Sequence, residues 1–120
     1  MARLNSPWEG DGPLFYGSCV AEFSNLFKKG RKRPIFFTQN PQKAIDDALN
    51  NSKGYFEKTA VLVIEDPSLF EFYKQPMSTT PYLTHSQNPH FLIDDENVYI
   101  VGSPTIENLQ EIIELNKDDS

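Results

Sequence analysis

The chain has 120 residues, 38% of them apolar and 23% charged, with nine Phe, five Tyr and one Trp. That suits one compact domain and excludes wholesale disorder. A single cysteine, Cys19, excludes an internal disulfide framework, and nine prolines with six glycines imply short, interrupted elements. The net charge of −6 is unevenly placed: nine Lys/Arg against six Asp/Glu in residues 1–60, two against eleven in 61–120. An acidic total disfavours indiscriminate attraction to phosphate backbones.

Residues 1–13, broken by Pro7, Gly10, Gly12 and Pro13, read as an irregular lead-in to one domain over 14–115. Their apolar content is too low for a secretion signal, and apolar runs elsewhere span only a few residues. We expect no membrane span and a cytoplasmic setting. Leu14-Phe15-Tyr16 reads as a strand closed by Gly17-Ser18. Between Cys19 and Lys29, Val20, Phe23, Leu26 and Phe27 share one helical face, with Ser18 as amino-terminal cap and Gly30 past the far end. Ile35-Phe36-Phe37-Thr38 forms the second strand. Asn40-Pro41 then opens a helix whose stripe is Ala44, Ile45, Ala48 and Leu49, followed by turn residues 50–54.

Thr59 to Ile64 is continuously apolar after its first residue, as in a strand covered on both faces. Asp66-Pro67 opens a helical turn over 68–73, and residues 74–90 form a long loop containing three prolines. Phe91-Leu92-Ile93 and Val98 to Val101 flank a hairpin turn at 94–97. Ser103-Pro104 starts a last helix with Ile106, Leu109, Ile112 and Ile113 on one face, and residues 116–120 fray. The order predicts an α+β domain built on a small mixed sheet.

Standard site patterns are absent: no Walker loop, GxGxxG, GxSxG or HExxH, and no Cys/His set for zinc. We therefore expect no metal. The basic run Lys28 to Arg33 lacks interleaved aromatics and reads as a solvated loop, with a nucleic-acid patch as the alternative. His85 and His90 read as surface histidines, and Cys19 as a small buried residue. More informative is the recurrence of a strand running directly into a helix, at LFYGS and again at IFFTQNPQKA. Backbone groups at such ends suit a phosphate- or amide-bearing ligand, and an aromatic there can stack on a flat ring.

Leu14 to Ser18, the spacer helix to Gly30, and Ile35 to Thr38 running into Gln42-Lys43-Ala44 resemble the first half of an ADP-ribosyltransferase catalytic domain. The closest pattern is the poly(ADP-ribose) polymerase branch, whose first strand ends in a His-Gly-Ser-like motif. An Ile-Tyr-Phe-like strand and a Lys-Ser-Ala-like helix start follow there. TAVLVI resembles the family's central strand and HFLIDDENVYIV its closing pair, so the likeness covers about residues 14–101. It implies the split β-sheet of that family, with NAD as substrate and a macromolecular acceptor of ADP-ribose.

Carried over position by position, the resemblance implies a binding set of Tyr16, Gly17, Ser18, Phe36 and Thr38. The Gly17 backbone would hydrogen-bond the nicotinamide carboxamide, and Ser18 would face ribose or phosphates. Phe36 would stack on nicotinamide without the hydroxyl of the family's tyrosine, and Thr38 falls in the strand motif. Tyr16 stands where the branch has histidine, and His90 where the family has its catalytic glutamate. These two are the catalytic candidates. Neutral histidine lacks the fixed negative charge that stabilises a cationic transition state, so Glu57 and Glu65 are candidates for a displaced acid. Two other readings stand beside transfer: a non-catalytic binding module of the same fold, and a nucleic-acid-associated protein using the 28–33 run.

Overall fold

The computed structural model describes residues 6–7, 10, 12–29, 35–66, 72–74, 82–83 and 98–118. In chain order these form β1 (Ser6–Pro7), β2 (Leu14–Cys19), α1 (Val20–Lys29), β3 (Ile35–Phe36) and α2 (Pro41–Asn51). A 3₁₀ turn (Phe56–Lys58), β4 (Thr59–Ile64), β5 (Tyr73–Lys74), β6 (Tyr82–Leu83), β7 (Val98–Gly102) and α3 (Ile106–Asp118) follow.

The strands form two sheets, ordered β2-β4-β7 and β1-β5-β6-β3. Helices and sheets together make an α+β architecture. Every strand pairing among the described residues is antiparallel, which corrects the expected mixed sheet. The three-stranded sheet carries the core, and its centre is β4, buried at all six positions. Continuous apolar character led to this expectation for 59–64, and the reason is visible on both faces. On one, Ala60, Leu62 and Ile64 join Leu14, Phe23 of α1, Ile35, Phe37, Phe72 and Val98. On the other, Val61 and Val63 join Phe15, Ala44 and Ile45 of α2, and Leu109 of α3. The alternation of period two thus sends β4 side chains into two separate clusters.

Several boundaries differ from those expected. β2 does not close at Gly17-Ser18. Its ladder with β4 runs on to Cys19↔Thr59, so both residues are in the strand and α1 begins at Val20. Strand 35–38 is divided: Ile35 and Phe36 pair with β6, whereas Thr38 bridges Phe15. The lead-in contributes β1, paired with β5. Tyr73, expected in a helical turn, is in β5, and the expected loop 74–90 contains β6. α3 continues to Asp118, through part of the tail expected to fray. Phe91 to Ile93 and the turn at 94–97 lie outside the described residues.

α2 follows its sequence signals. The side-chain oxygen of Asn40 accepts from the backbone N–H groups of Gln42 (3.0 Å) and Lys43 (3.4 Å), and Pro41 occupies the first turn, where its missing N–H costs nothing. Beyond its end Lys53 (φ 56°) and Gly54 (φ 86°) turn left-handed, and the Gly54 N–H donates to the Leu49 carbonyl at 2.9 Å. α2 lies against β2 and β4. No described helix is long and apolar enough to cross a membrane.

The approach of α2 to β2 is possible only because residue 17 is glycine. A Cβ there would lie 1.8 Å from the Ala44 carbonyl oxygen and 2.8 Å from its carbon. Both are backbone atoms, which cannot rotate away. Gly17→Ala is therefore expected to destabilise the protein by at least ~2 kcal/mol through overpacking. Gly102→Ala, where nothing lies within 4 Å, should change stability by less than about 0.5 kcal/mol. Urea unfolding midpoints of the two variants check the contrast. Equal midpoints would show that α2 yields freely.

Candidate functional site

The site expected from the sequence centres on β2, and the strand's pairing determines what each residue offers. Phe15 and Thr38 exchange both backbone hydrogen bonds, each 2.8 Å, on the edge of β2 away from β4. In an antiparallel ladder hydrogen-bonding direction alternates, so Leu14, Tyr16 and Ser18 bond toward β4 while the N–H and C=O of Gly17 point outward. Extending the Phe15↔Thr38 register by two residues sets Phe36 opposite Gly17. No ladder forms there, because Phe36 pairs with Tyr82 in the other sheet. Among the described residues no hydrogen bond reaches either backbone group of Gly17. Among the described residues the Phe15↔Thr38 bridge is the one pairing that joins the two sheets.

The bridge register thus aligns Gly17, Phe36 and Thr38 along one seam, where Gly17 itself is buried. Ile35 and Phe37 are buried in the core, and Phe36 between them turns the other way, 42% exposed. Thr38 is half-buried, and its Oγ1 accepts the Asn40 N–H at 3.0 Å. Its role here is to join the bridge to the α2 cap. A hollow floored by the α-carbon of Gly17 does not exist, because the Ala44 backbone occupies that side. What Gly17 offers is its outward peptide edge.

Tyr16 and Ser18, which flank Gly17, point to the other face of the sheet and meet a residue that sequence reasoning missed. The Tyr16 hydroxyl donates to Glu22 Oε1 at 2.9 Å, and the Ser18 hydroxyl donates to Glu22 Oε2. Ser18 is fully buried, whereas Tyr16 and Glu22 are half-buried. The Tyr16 ring is fixed edge-on to Phe23 at 5.6 Å and tilted against Phe37 at 6.0 Å. Ser18 lies within β2 instead of capping α1, and its hydroxyl donates to a carboxylate in the helix's first turn, where the dipole favours negative charge. The detectable signal was the i, i+4 spacing of Ser18 and Glu22 across the strand–helix junction.

The other candidates are dispersed. His90, His85 and residues 30–33 lie outside the described residues, and of Lys28 and Lys29 only the helical backbone is described. Cys19 is a half-buried free thiol at the end of β2, not fully buried as expected. Glu57 is exposed in the 3₁₀ turn. Glu65, just past β4, accepts the Tyr99 hydroxyl proton at 2.5 Å. No group of three or more His, Cys, Asp or Glu suited to a metal ion occurs among the described residues. An open apolar hollow of about 370 Å³ lies between α1 and β7, lined by Val20, Phe23, Ser24, Ala60, Ile100 and Gly102, and includes none of the expected site residues.

Comparison with family models, with curated proteins and with solved structures finds no match to this chain.

The Tyr99–Glu65 pair has a pH signature. Burial, then the hydrogen bond and charge of Glu65, raise the Tyr99 phenol well above the ordinary tyrosine value. A group whose folded pKa is raised stabilises fully below its unfolded value, about pH 10, and the contribution is lost as pH climbs toward the folded value. Phenolate absorbance of the folded protein should therefore show a late-ionising tyrosine that Tyr99→Phe removes. The variant should also unfold with a weaker dependence on pH above about 10. A wild-type titration without a late step would refute the pairing.

Proposed function

We propose that this chain is an NAD-binding domain of the ADP-ribosyltransferase kind, transferring ADP-ribose to a macromolecular acceptor. The observation that carries the reading is the outward peptide edge of Gly17 opposite Phe36, where β2 and β3 separate. A peptide N–H and C=O side by side match a primary carboxamide, which accepts at its oxygen and donates at its nitrogen. The face of a phenyl ring nearby supplies stacking area for a pyridine ring. The two contacts together would hold the nicotinamide end of NAD.

In the transfer, the bond between the ribose C1′ and the nicotinamide nitrogen breaks and neutral nicotinamide departs. An acceptor oxygen or nitrogen bonds to C1′ and gives up its proton to a base. Positive charge develops on the ribose as the first bond lengthens, and a nearby carboxylate stabilises it. Glu22, next to Tyr16 and Ser18, is the described carboxylate on this strand–helix junction.

A second reading, NAD or nucleotide binding without turnover, is favoured by one feature: both Glu22 oxygens already accept hydroxyl protons from within the chain. Calorimetric titration with NAD and an assay for released nicotinamide separate the two. Saturable NAD binding is expected, with Phe36→Ala weakening it about tenfold through lost stacking while the melting temperature stays near wild type. Release of nicotinamide supports transfer, and binding without release supports the binding module. Absence of saturable NAD binding by the wild-type chain overturns both.

A further inference from the structure

We propose that the hollow between α1 and β7 is a binding site for a small, flat, uncharged apolar molecule, distinct from the Gly17 seam. Its walls follow from the fold. Val20, Phe23 and Ser24 stand three and four residues along from one another and share a face of α1. Ala60 of β4 and Gly102 of β7 are cross-strand partners, and Ile100, opposite Leu62, follows on the same face of the sheet. Ala60 and Gly102 are the two smallest of the six lining residues. Over them helix and sheet do not close, and about 370 Å³ stays open.

Glycine at 102 leaves the floor bare. A Cβ built there meets nothing within 4 Å, and its φ is not left-handed, so the backbone does not require glycine. At the rim Val20 is 51% and Ile100 39% exposed, aliphatic surface that an occupant would remove from water. None of the six lining side chains is charged, and Ser24 supplies the one hydroxyl. This lining cannot replace the hydration of an ion, but it suits an apolar body with a single hydrogen-bonding group. A flat ring can lie on the level floor that Ala60 and Gly102 make side by side. Size selects a small molecule over a second copy of the chain. Six residues fall far short of the roughly 20–30 a side of a stable protein interface, whereas the volume lies within the range of about 300–1,000 Å³ for small-molecule sites.

The uncharged dye N-phenyl-1-naphthylamine, which brightens on leaving water, tests this with the full chain. Its fluorescence should rise saturably at a single site, and its anionic analogue 8-anilinonaphthalene-1-sulfonate should bind more weakly. Gly102→Leu extends a side chain into the hollow and should weaken the uncharged dye by about tenfold or more, as when a methylene intrudes on an apolar pocket. The melting temperature should not fall, because the added side chain starts in open space. Val20→Glu puts a charge on the rim, at a helix start that favours it, and should weaken the dye severalfold. It carries the test should Gly102→Leu not fold, with circular dichroism checking both variants. Absence of saturable binding by the wild-type chain, equal affinity for the anionic dye, or unchanged affinity in the folded variants overturns the proposal. Sedimentation showing a wild-type dimer that Val20→Glu makes monomeric also overturns it, and assigns the face to a second copy. NAD binding, measured separately, is expected to be the same in both variants.

Discussion

The contact of α2 with the bare α-carbon of Gly17 organises the region around it. No side chain separates the helix backbone from the strand, and Ala44 and Ala48 keep the facing surface of α2 small. Short hydrogen bonds extend the same association toward the helix start. Thr38 bridges Phe15 in β2, its hydroxyl accepts the Asn40 N–H, and Asn40 caps α2. Strand, bridge and cap thus hold one another in register. The glycine serves twice in this arrangement, once by lacking a Cβ on the helix side and once by presenting its peptide edge to the seam between sheets.

Across the strand, the chemistry is of another kind. The alternation that sends Phe15 and Gly17 toward α2 sends Tyr16 and Ser18 toward α1, where Glu22 accepts a hydrogen bond from each. A half-buried carboxylate with two hydroxyl donors has part of its lost hydration replaced from within the chain. The apolar contacts of Tyr16 with Phe23 and Phe37 hold the phenol in place. One strand of six residues therefore presents a close-packed helix contact, an unladdered peptide edge at the buried Gly17, and two hydroxyls bonded to a single carboxylate.

What was legible in the sequence was governed by local rules. The α2 start follows from Asn40-Pro41, the burial of β4 from its unbroken apolar run, and the face of α3 from Ile106 and Leu109 at helical spacing. The misread places were decided by partners distant in sequence. Gly17 and Ser18 look like a turn in isolation, yet pairing with Val61 and Ala60 keeps them in β2. The two-residue strands β1, β5 and β6 have too few residues to show periodicity and exist through one another. At the candidate site, the motif order puts Gly17 and Phe36 on successive strand segments, and the Phe15↔Thr38 bridge sets their register. Closure of the glycine's other side by α2 was not legible, because it depends on how near a helix can come. Glu22 escaped notice because it reads as an ordinary solvated helix residue until the strand before it is known to extend to Cys19.

The bridge between Phe15 and Thr38 also bears on how firmly the two sheets are held together at this seam. A full ladder between β2 and β3 would have to be unzipped, bond by bond, to widen the gap beside Gly17. Among the described residues a single pair of hydrogen bonds, between Phe15 and Thr38, ties the two segments at this corner. That corner is anchored to the core through the buried ring of Phe15.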